Sequence, residues 1–216
     1  MTHPAPAPTS SSKKKRLYIP LVWFGSSLPL LILAVRATMD KLTANPIEFI
    51  SQFTGWWTLV FLMLTLSVTP IRQIFNMPFI FPFRRTLGLI TFFYSLVHFL
   101  SWLVLDQYFH WTEILLDLTE RPFIYFGFSA FAGLSILAIT SVNRVKMRLG
   151  SIQWRRLHRM IYVIAMLGVI HFFMLVKIDV TEPLIFAVIL FLLLGWRIFF
   201  RIRKKLRIEH RVACRT

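Results

Sequence analysis

The chain has 216 residues, of which 56% are hydrophobic, and its mean hydropathy is +0.65. This composition is too apolar for an ordinary soluble domain, so an integral membrane protein is expected. The formal charge of +16 raises nucleic-acid binding as an alternative, and the distribution of charge along the chain has to decide between the two classes.

Six apolar stretches are each about long enough to cross a hydrocarbon core, since about 30 Å takes about 20 helical residues. They lie near residues 17–36, 55–71, 86–106, 122–141, 157–177 and 183–200. The second is expected to be the shortest, because Pro70 marks its end. The sequence therefore predicts an all-α membrane protein, a six-transmembrane-helix bundle.

Three regions of the chain are expected from this pattern. Residues 1–16 are predicted to form a disordered basic cytoplasmic leader, since the segment begins rich in Pro, Ala and Ser and ends in a run of Lys and Arg. Residues 17–200 form the transmembrane domain, and residues 201–216 a basic cytoplasmic tail.

Basic and acidic residues alternate between the two ends of the spans. Of the 25 Lys and Arg residues, 21 lie before span 1, between spans 2 and 3, around the 4–5 loop, or from the end of span 6 onwards. Eight of the nine Asp and Glu residues lie on the other side. By the positive-inside rule both termini are cytoplasmic, and the charge reflects membrane topology and not nucleic-acid binding.

Three of the six histidines fall within predicted spans, where an ionisable side chain is costly and therefore a functional candidate. His98 lies in span 3, and His158 and His171 lie in span 5; both spans run outward from the cytoplasm. His98 is 13 residues beyond Arg85, and His171 is 15 beyond Arg156. At a rise of 1.5 Å per residue, they lie roughly 20 and 22 Å from the inner boundary. The two are expected at one depth.

Two imidazoles at one depth on two helices can ligate a haem iron from opposite faces. Zinc fits less well, because it takes three or four ligands and no Cys, Asp or Glu lies at that depth. Covalent c-type haem needs Cys-x-x-Cys-His, and the chain has only Cys214. A b-type haem held by His98 and His171 is therefore predicted; the alternative is that each merely hydrogen-bonds to a neighbouring helix.

His158 is expected just inside the cytoplasmic boundary, 13 residues before His171. The matching position in span 3 is Arg84, and arginine is a good clamp for haem propionates or a flavin phosphate. His158 is therefore either an axial ligand of a second, high-spin inner haem or a group at a flavin or quinone site. An interfacial histidine without a cofactor is the remaining possibility.

The other features are weaker. His3 and His210 lie in the flanks, whereas His110 lies in an outer loop, residues 107–121, whose amphipathic spacing suits a surface that covers the haem edge or receives a partner. Four glycines are expected to allow close helix approach or to make room for a flat macrocycle: Gly88, Gly127, Gly133 and Gly168.

Neither a G-x-G-x-x-G nor a Walker motif occurs, so a dinucleotide-binding site of the usual kind is not expected. Electrons would come from a membrane quinol or a flavin reduced by a soluble partner, and leave to an acceptor at the outer face.

Four segments resemble the MsrQ family, formerly YedZ, the haem-binding membrane subunit of the bacterial methionine sulfoxide reductase system within the ferric reductase-like transmembrane superfamily. They are TGWWTLVFLMLTLSVTPIR (54–72), RRTLGLITFFYSLVHF (84–99), RPFIYFGF (121–128) and TSVNRVKMRLGSIQWRRLHRMIYVIAMLGVIHF (140–172). The similarity extends over residues 17–205, and the R-R-x-L-G-L, W-x-x-L-H-R and H-F elements are together fairly specific.

The resemblance implies a b-type cytochrome of the bacterial inner membrane, also associated with FMN, that draws electrons from the quinone pool or a cytoplasmic flavin reductase. It would deliver them, in a heterodimer, to MsrP, a periplasmic molybdenum enzyme that reduces methionine sulfoxide in oxidised envelope proteins. The family's haem-linked histidines match His98, His158 and His171, and Arg84 falls at a family arginine. The chain would then be an electron-transfer subunit and not the catalytic one.

Two alternatives stay open. One is a stand-alone ferric or cupric reductase acting on an outer metal chelate, which the missing dehydrogenase domain counts against. The other is a small proton-coupled carrier, although neither broken helices nor inverted repeats are evident.

The topology can be tested with thiols. Cys214 is expected to react with a membrane-impermeant maleimide only after cells are permeabilised, because the tail is cytoplasmic. In a Cys214→Ser background, Thr119→Cys is expected to be labelled in intact cells, because residue 119 lies in an outer loop. Labelling of Cys214 in intact cells would contradict the charge-based orientation.

Overall fold

The computed structural model describes the backbone of residues 10–213 and the side chains of residues 18–207. Every regular element in that part of the chain is helical, as predicted. The α-helices are α1 (Ser10–Thr38), α2 (Pro46–Ile74), α3 (Phe83–Leu100), α4 (Trp111–Glu120), α5 (Pro122–Ile139), α6 (Asn143–Leu157), α7 (Ile161–Leu175) and α8 (Thr181–Ala213). Two short 3-10 helices, Pro78–Ile80 and His158–Met160, precede α3 and α7, and a π-helix, Ser101–Asp106, follows α3.

Within the described residues, six helical stretches are long and apolar enough to cross a membrane. They are Tyr18–Thr38, Pro46–Ile74, Pro78–Asp106, Pro122–Ile139, Asn143–Leu175 and Thr181–Arg207. The protein is therefore a multi-pass membrane protein, and the prediction of six spans is confirmed. Large apolar side chains such as Phe24 and Phe191 are 76% exposed, as expected where the surrounding solvent is lipid.

Several span boundaries differ from the prediction, and span 2 differs at both ends. Pro70 lies inside α2, which has 29 residues, so the expectation that span 2 is short was wrong. The helix begins well before residue 55 because Pro46 occupies its first turn and the Asn45 side chain accepts a hydrogen bond from the Glu48 amide, 3.3 Å away.

The basic flanks are also more helical than predicted. Residues 10–16, expected in the disordered leader, are part of α1, and the tail continues α8 as far as Ala213. The 4–5 loop is largely α6, which is interrupted at Gly150 where φ is +73°. Lys and Arg are good helix formers, so a charge run marks the end of an apolar span without ending the helix. His3, Cys214 and the His210 side chain lie outside the described residues.

The chain divides into two compact units, the first ending at His110 and the second beginning at Trp111. In the first unit α2 packs along α3. The buried hydroxyls of Thr65 and Thr91 lie 3.3 Å apart across this contact, and the rings of Phe61 and Tyr94 have centroids 4.8 Å apart. The Tyr94 hydroxyl donates to the Ser26 carbonyl, which ties α1 to the same pair.

In the second unit α5 packs along α7. A Cβ built at Gly133 would lie only 2.8 Å from the Ile164 side chain, so that side chain of α7 packs directly on the backbone of α5 there. Arg197 of α8 donates to the Tyr162 hydroxyl at 2.7 Å and lies 5.0 Å over its ring, which joins α7 to α8.

Tyr94→Phe tests the tie between α1 and α3. Removing the hydroxyl leaves the buried Ser26 carbonyl without this donor, so we expect a loss of about 1–3 kcal/mol of stability while ring packing persists. The measurement is the unfolding midpoint of purified protein in detergent. Tyr125→Phe is the control because its ring is half exposed; equal midpoints for the two variants would contradict the assignment.

Candidate functional site

His98 is held by the helix that faces it. Its Nδ1 lies 2.9 Å from the Ser51 carbonyl oxygen of α2 and 3.5 Å from the Thr54 hydroxyl. A carbonyl oxygen only accepts, so Nδ1 carries the proton and, in the neutral ring, the lone pair is on Nε2. The backbone carbonyl of His98 accepts a hydrogen bond from the Ser101 hydroxyl at 2.8 Å, and Ser101 is the first residue of the π-helix.

His171 is held in the same way in the second unit. Its Nδ1 lies 2.8 Å from the carbonyl oxygen of Phe123, the second residue of α5. The Phe123 ring also packs beside the imidazole, with centroids 5.9 Å apart. Again the hydrogen bond assigns the proton to Nδ1 and the lone pair to Nε2.

These contacts test whether the histidines suit haem iron. Histidines that ligate metals almost always donate their other ring N–H to a carbonyl, carboxylate or water, which fixes the tautomer and makes the ligand more basic. Both His98 and His171 have this partner, in a carbonyl of the neighbouring helix. They also show that the two sequence alternatives, ligation and a hydrogen bond to a neighbouring helix, are compatible. Among residues 18–207, no three His, Cys, Asp or Glu side chains come together as a metal site.

His158 has a different environment. It begins the 3-10 helix between α6 and α7, with Nδ1 3.1 Å from the Trp154 carbonyl and Nε2 3.3 Å from the Ser141 hydroxyl. Its ring stacks on Trp154 at 3.9 Å between centroids, and the Trp154 indole donates to the Thr140 carbonyl at 2.9 Å. Iron ligation by Nε2 would have to replace the Ser141 contact.

Arg84 is the second residue of α3, and its side chain is half-buried. It belongs to the first unit with His98, whereas His158 and His171 belong to the second. The matching of depths between the units therefore stays a prediction. The inferred distance of His171 from the inner boundary changes slightly, because residues 158–160 form a 3-10 helix. Its rise of about 2.0 Å per residue, in place of about 1.5 Å, adds roughly 1.5 Å to that distance.

The segment after span 3, which the charges predict to be outside, contains the expected amphipathic helix, α4. Ile114 is buried, whereas Trp111, Glu113 and Glu120 are exposed. His110 precedes this helix and is exposed. Whether the segment covers a cofactor or receives a partner stays a prediction.

Sequence reasoning missed the groups that hold the histidines. The acceptors at Ser51 and Phe123 are backbone carbonyls, which every residue has, so residue type gives no signal for them. Thr54 is also close to His98, but an intramembrane threonine ordinarily bonds its own helix, as this one does to the Ile50 carbonyl at 2.8 Å.

Comparison with known proteins agrees with the resemblance. Residues 54–169 match the family described as ferric reductase like transmembrane component. A Herminiimonas arsenicoxydans protein named protein-methionine-sulfoxide reductase heme-binding subunit MsrQ is 43% identical over 205 residues, which is 94% of this chain and 91% of that protein. Proteins of the same name from Ralstonia nicotianae and Xanthomonas campestris are 40% and 46% identical, over 91% and 76% of this chain and 90% and 74% of their own lengths. The chain therefore belongs to the MsrQ family, within the ferric reductase-like transmembrane family.

Proposed function

We propose that this protein is a transmembrane b-type cytochrome in which His98 and His171 ligate one haem iron. The observation that carries the proposal is the pair of hydrogen bonds from Nδ1 to the Ser51 and Phe123 carbonyls, because they stabilise the tautomer that ligates through Nε2. The equal depth inferred from the sequence, and the words "heme-binding subunit" in the relatives' names, support it. When bound, haem b supplies one-electron chemistry between ferric and ferrous iron.

The chain's own residues have separable roles in this proposal. α3 and α7 carry the two ligands, and α2 and α5 supply the carbonyls that orient them. A hydrogen bond from Nδ1–H makes the imidazole more basic, which stabilises the more positive, ferric state of the iron. The Phe123 ring, 5.9 Å from the His171 ring between centroids, adds an apolar contact beside the second ligand.

The proposed direction of transfer is outward, from the quinone pool or a cytoplasmic flavin reductase to a periplasmic molybdenum-containing methionine sulfoxide reductase of the MsrP type. The relatives are named as a subunit of a protein-methionine-sulfoxide reductase, which supports a partner that performs the chemistry on methionine sulfoxide. In the proposed bacterial inner-membrane location, the charge distribution supports an orientation with the acidic side facing that partner.

His158 and Arg84 are proposed to serve an inner cofactor site. The contacts of His158 are compatible with both open roles. Its Nδ1 lies against the Trp154 carbonyl, as in a haem ligand, and its Nε2 already takes part in a hydrogen bond with the Ser141 hydroxyl. Arg84, with Arg85 beside it at the start of α3, suits the phosphate of FMN. An inner haem with His158 as ligand is the competing assignment.

A second candidate function is reduction of an outer ferric or cupric chelate without a partner, which the description of the matching family favours. The two proposed functions differ in the acceptor of the electrons. In vesicles that hold the protein and a reduced quinol, the quinol is expected to be re-oxidised only when a periplasmic methionine sulfoxide reductase and its substrate are added. Rapid re-oxidation by chelated iron alone would favour the second function.

The ligand assignment predicts the optical spectra of histidine variants. His98→Ala and His171→Ala are each expected to lower haem content at least about tenfold, because either change removes an axial ligand. His158→Ala is expected to keep the haem of the outer site and to slow reduction by the cytoplasmic-side donor. The measurement is the reduced-minus-oxidised spectrum with haem quantitation.

His110→Ala is the matched control, since His110 is exposed and precedes α4. Wild-type haem content in either His98→Ala or His171→Ala would refute the assignment. Loss of about half the haem in His158→Ala would instead favour an inner haem.

A further inference from the structure

The ring of His98 lies against a glycine of the facing helix. Gly55 is one helical turn beyond Ser51, so the glycine and the carbonyl that accepts from His98 share a face of α2. A Cβ built at Gly55 would lie 3.0 Å from Cε1, 3.2 Å from Nδ1 and 3.5 Å from Nε2 of His98. Any side chain at this position would press on the edge of the ring that includes the proposed ligand atom.

His171 and α5 repeat this arrangement independently. Gly127 is one turn beyond Phe123, whose carbonyl accepts from His171. A Cβ at Gly127 would lie 2.8 Å from both Cε1 and Nδ1 of His171 and 3.4 Å from Cγ. Such contacts are closer than two non-bonded heavy atoms allow, so either the ring or α5 would have to move.

Neither ring can relieve this contact freely. Rotation of the imidazole breaks the hydrogen bond from Nδ1 to the carbonyl, and the proposed ligation would fix the position of Nε2. The remaining response is separation of the helices, which the close packing along α2–α3 and α5–α7 opposes.

Two other glycines in the spans, Gly88 and Gly133, do not face an imidazole. A Cβ at Gly88 of α3 would lie 3.8 Å from Thr65, an ordinary contact. A Cβ at Gly133 of α5 would lie 2.8 Å from Cγ1 and Cδ1 of Ile164, which is as close as at Gly127 but meets a buried aliphatic side chain and not an imidazole. Both therefore serve as matched controls.

We propose that Gly55 and Gly127 are positioning residues, each of which lets its histidine lie directly on the facing backbone with Nδ1 on the carbonyl and Nε2 directed away for iron. The inference rests on the proposed ligation by His98 and His171. In this proposal the two glycines make room for the imidazole rings. They do not serve only to make room for the macrocycle or to allow close helix packing.

The test compares Gly55→Ala and Gly127→Ala with Gly88→Ala and Gly133→Ala. Gly127→Ala is expected to lower haem affinity about tenfold, with a smaller effect in the same direction for Gly55→Ala, whose clash is milder. Both are expected to shift the low-spin electron paramagnetic resonance of the haem that remains, because the imidazole planes turn. Gly88→Ala is expected to match wild type. Gly133→Ala is expected to lose some stability, because it crowds buried Ile164, but to leave the resonance of the haem unchanged.

A double variant keeps the test decisive if Gly127→Ala folds poorly. Without the ring there is no clash, so Gly127→Ala is expected to reduce accumulation and the unfolding midpoint in the His171 protein but not in the His171→Ala protein. The same pair of comparisons applies to Gly55 and His98. Equal destabilisation in both backgrounds would overturn the inference.

The remaining outcomes separate the inference from the proposed function. If the histidine variants lose haem but Gly55→Ala and Gly127→Ala retain wild-type affinity and resonance, the positioning role is wrong and the ligation stands. If Gly133→Ala lowers haem as much as Gly127→Ala, general crowding explains the loss and the inference fails. If the histidine variants keep haem, the proposed function fails, and with it the inference.

Discussion

A hydrogen bond from the Nδ1–H of an intramembrane imidazole to a backbone carbonyl is the interaction on which this structure depends. An imidazole in a hydrocarbon environment needs a partner for its N–H, because an unsatisfied donor there costs roughly several kcal/mol. Ser51 and Phe123 provide such partners for His98 and His171. The same bond that satisfies each ring's N–H also sets its tautomer and orientation, so stability in the membrane and the proposed ligation of iron depend on one interaction.

The packing of each unit maintains that hydrogen bond at its distance. In the first, the Phe61–Tyr94 and Thr65–Thr91 contacts hold α2 against α3 about one and about two turns before His98. In the second, close approach at Gly133 holds α5 against α7. The arrangement recurs in both units although their sequences differ, because it needs only a carbonyl, a residue without a side chain one turn later, and a histidine on the neighbouring helix.

The features that could be predicted from the sequence are those tied to residue type and run length. Hydropathy identifies the six spans, and the cost of an ionisable side chain in lipid singles out His98, His158 and His171. The error at Pro70 arose because one proline removes one helical hydrogen bond without ending a long buried helix. The supporting groups could not be predicted: carbonyls are common to all residues, and Gly55 looks like any other glycine in an apolar helix.

The most direct test of the central claim is low-temperature electron paramagnetic resonance of the purified ferric protein with its haem. The account predicts a low-spin signal typical of two imidazole ligands, since both rings present Nε2 while Nδ1 is held by a carbonyl. A spectrum without any low-spin component, or one typical of a single imidazole with a different second ligand, would contradict it.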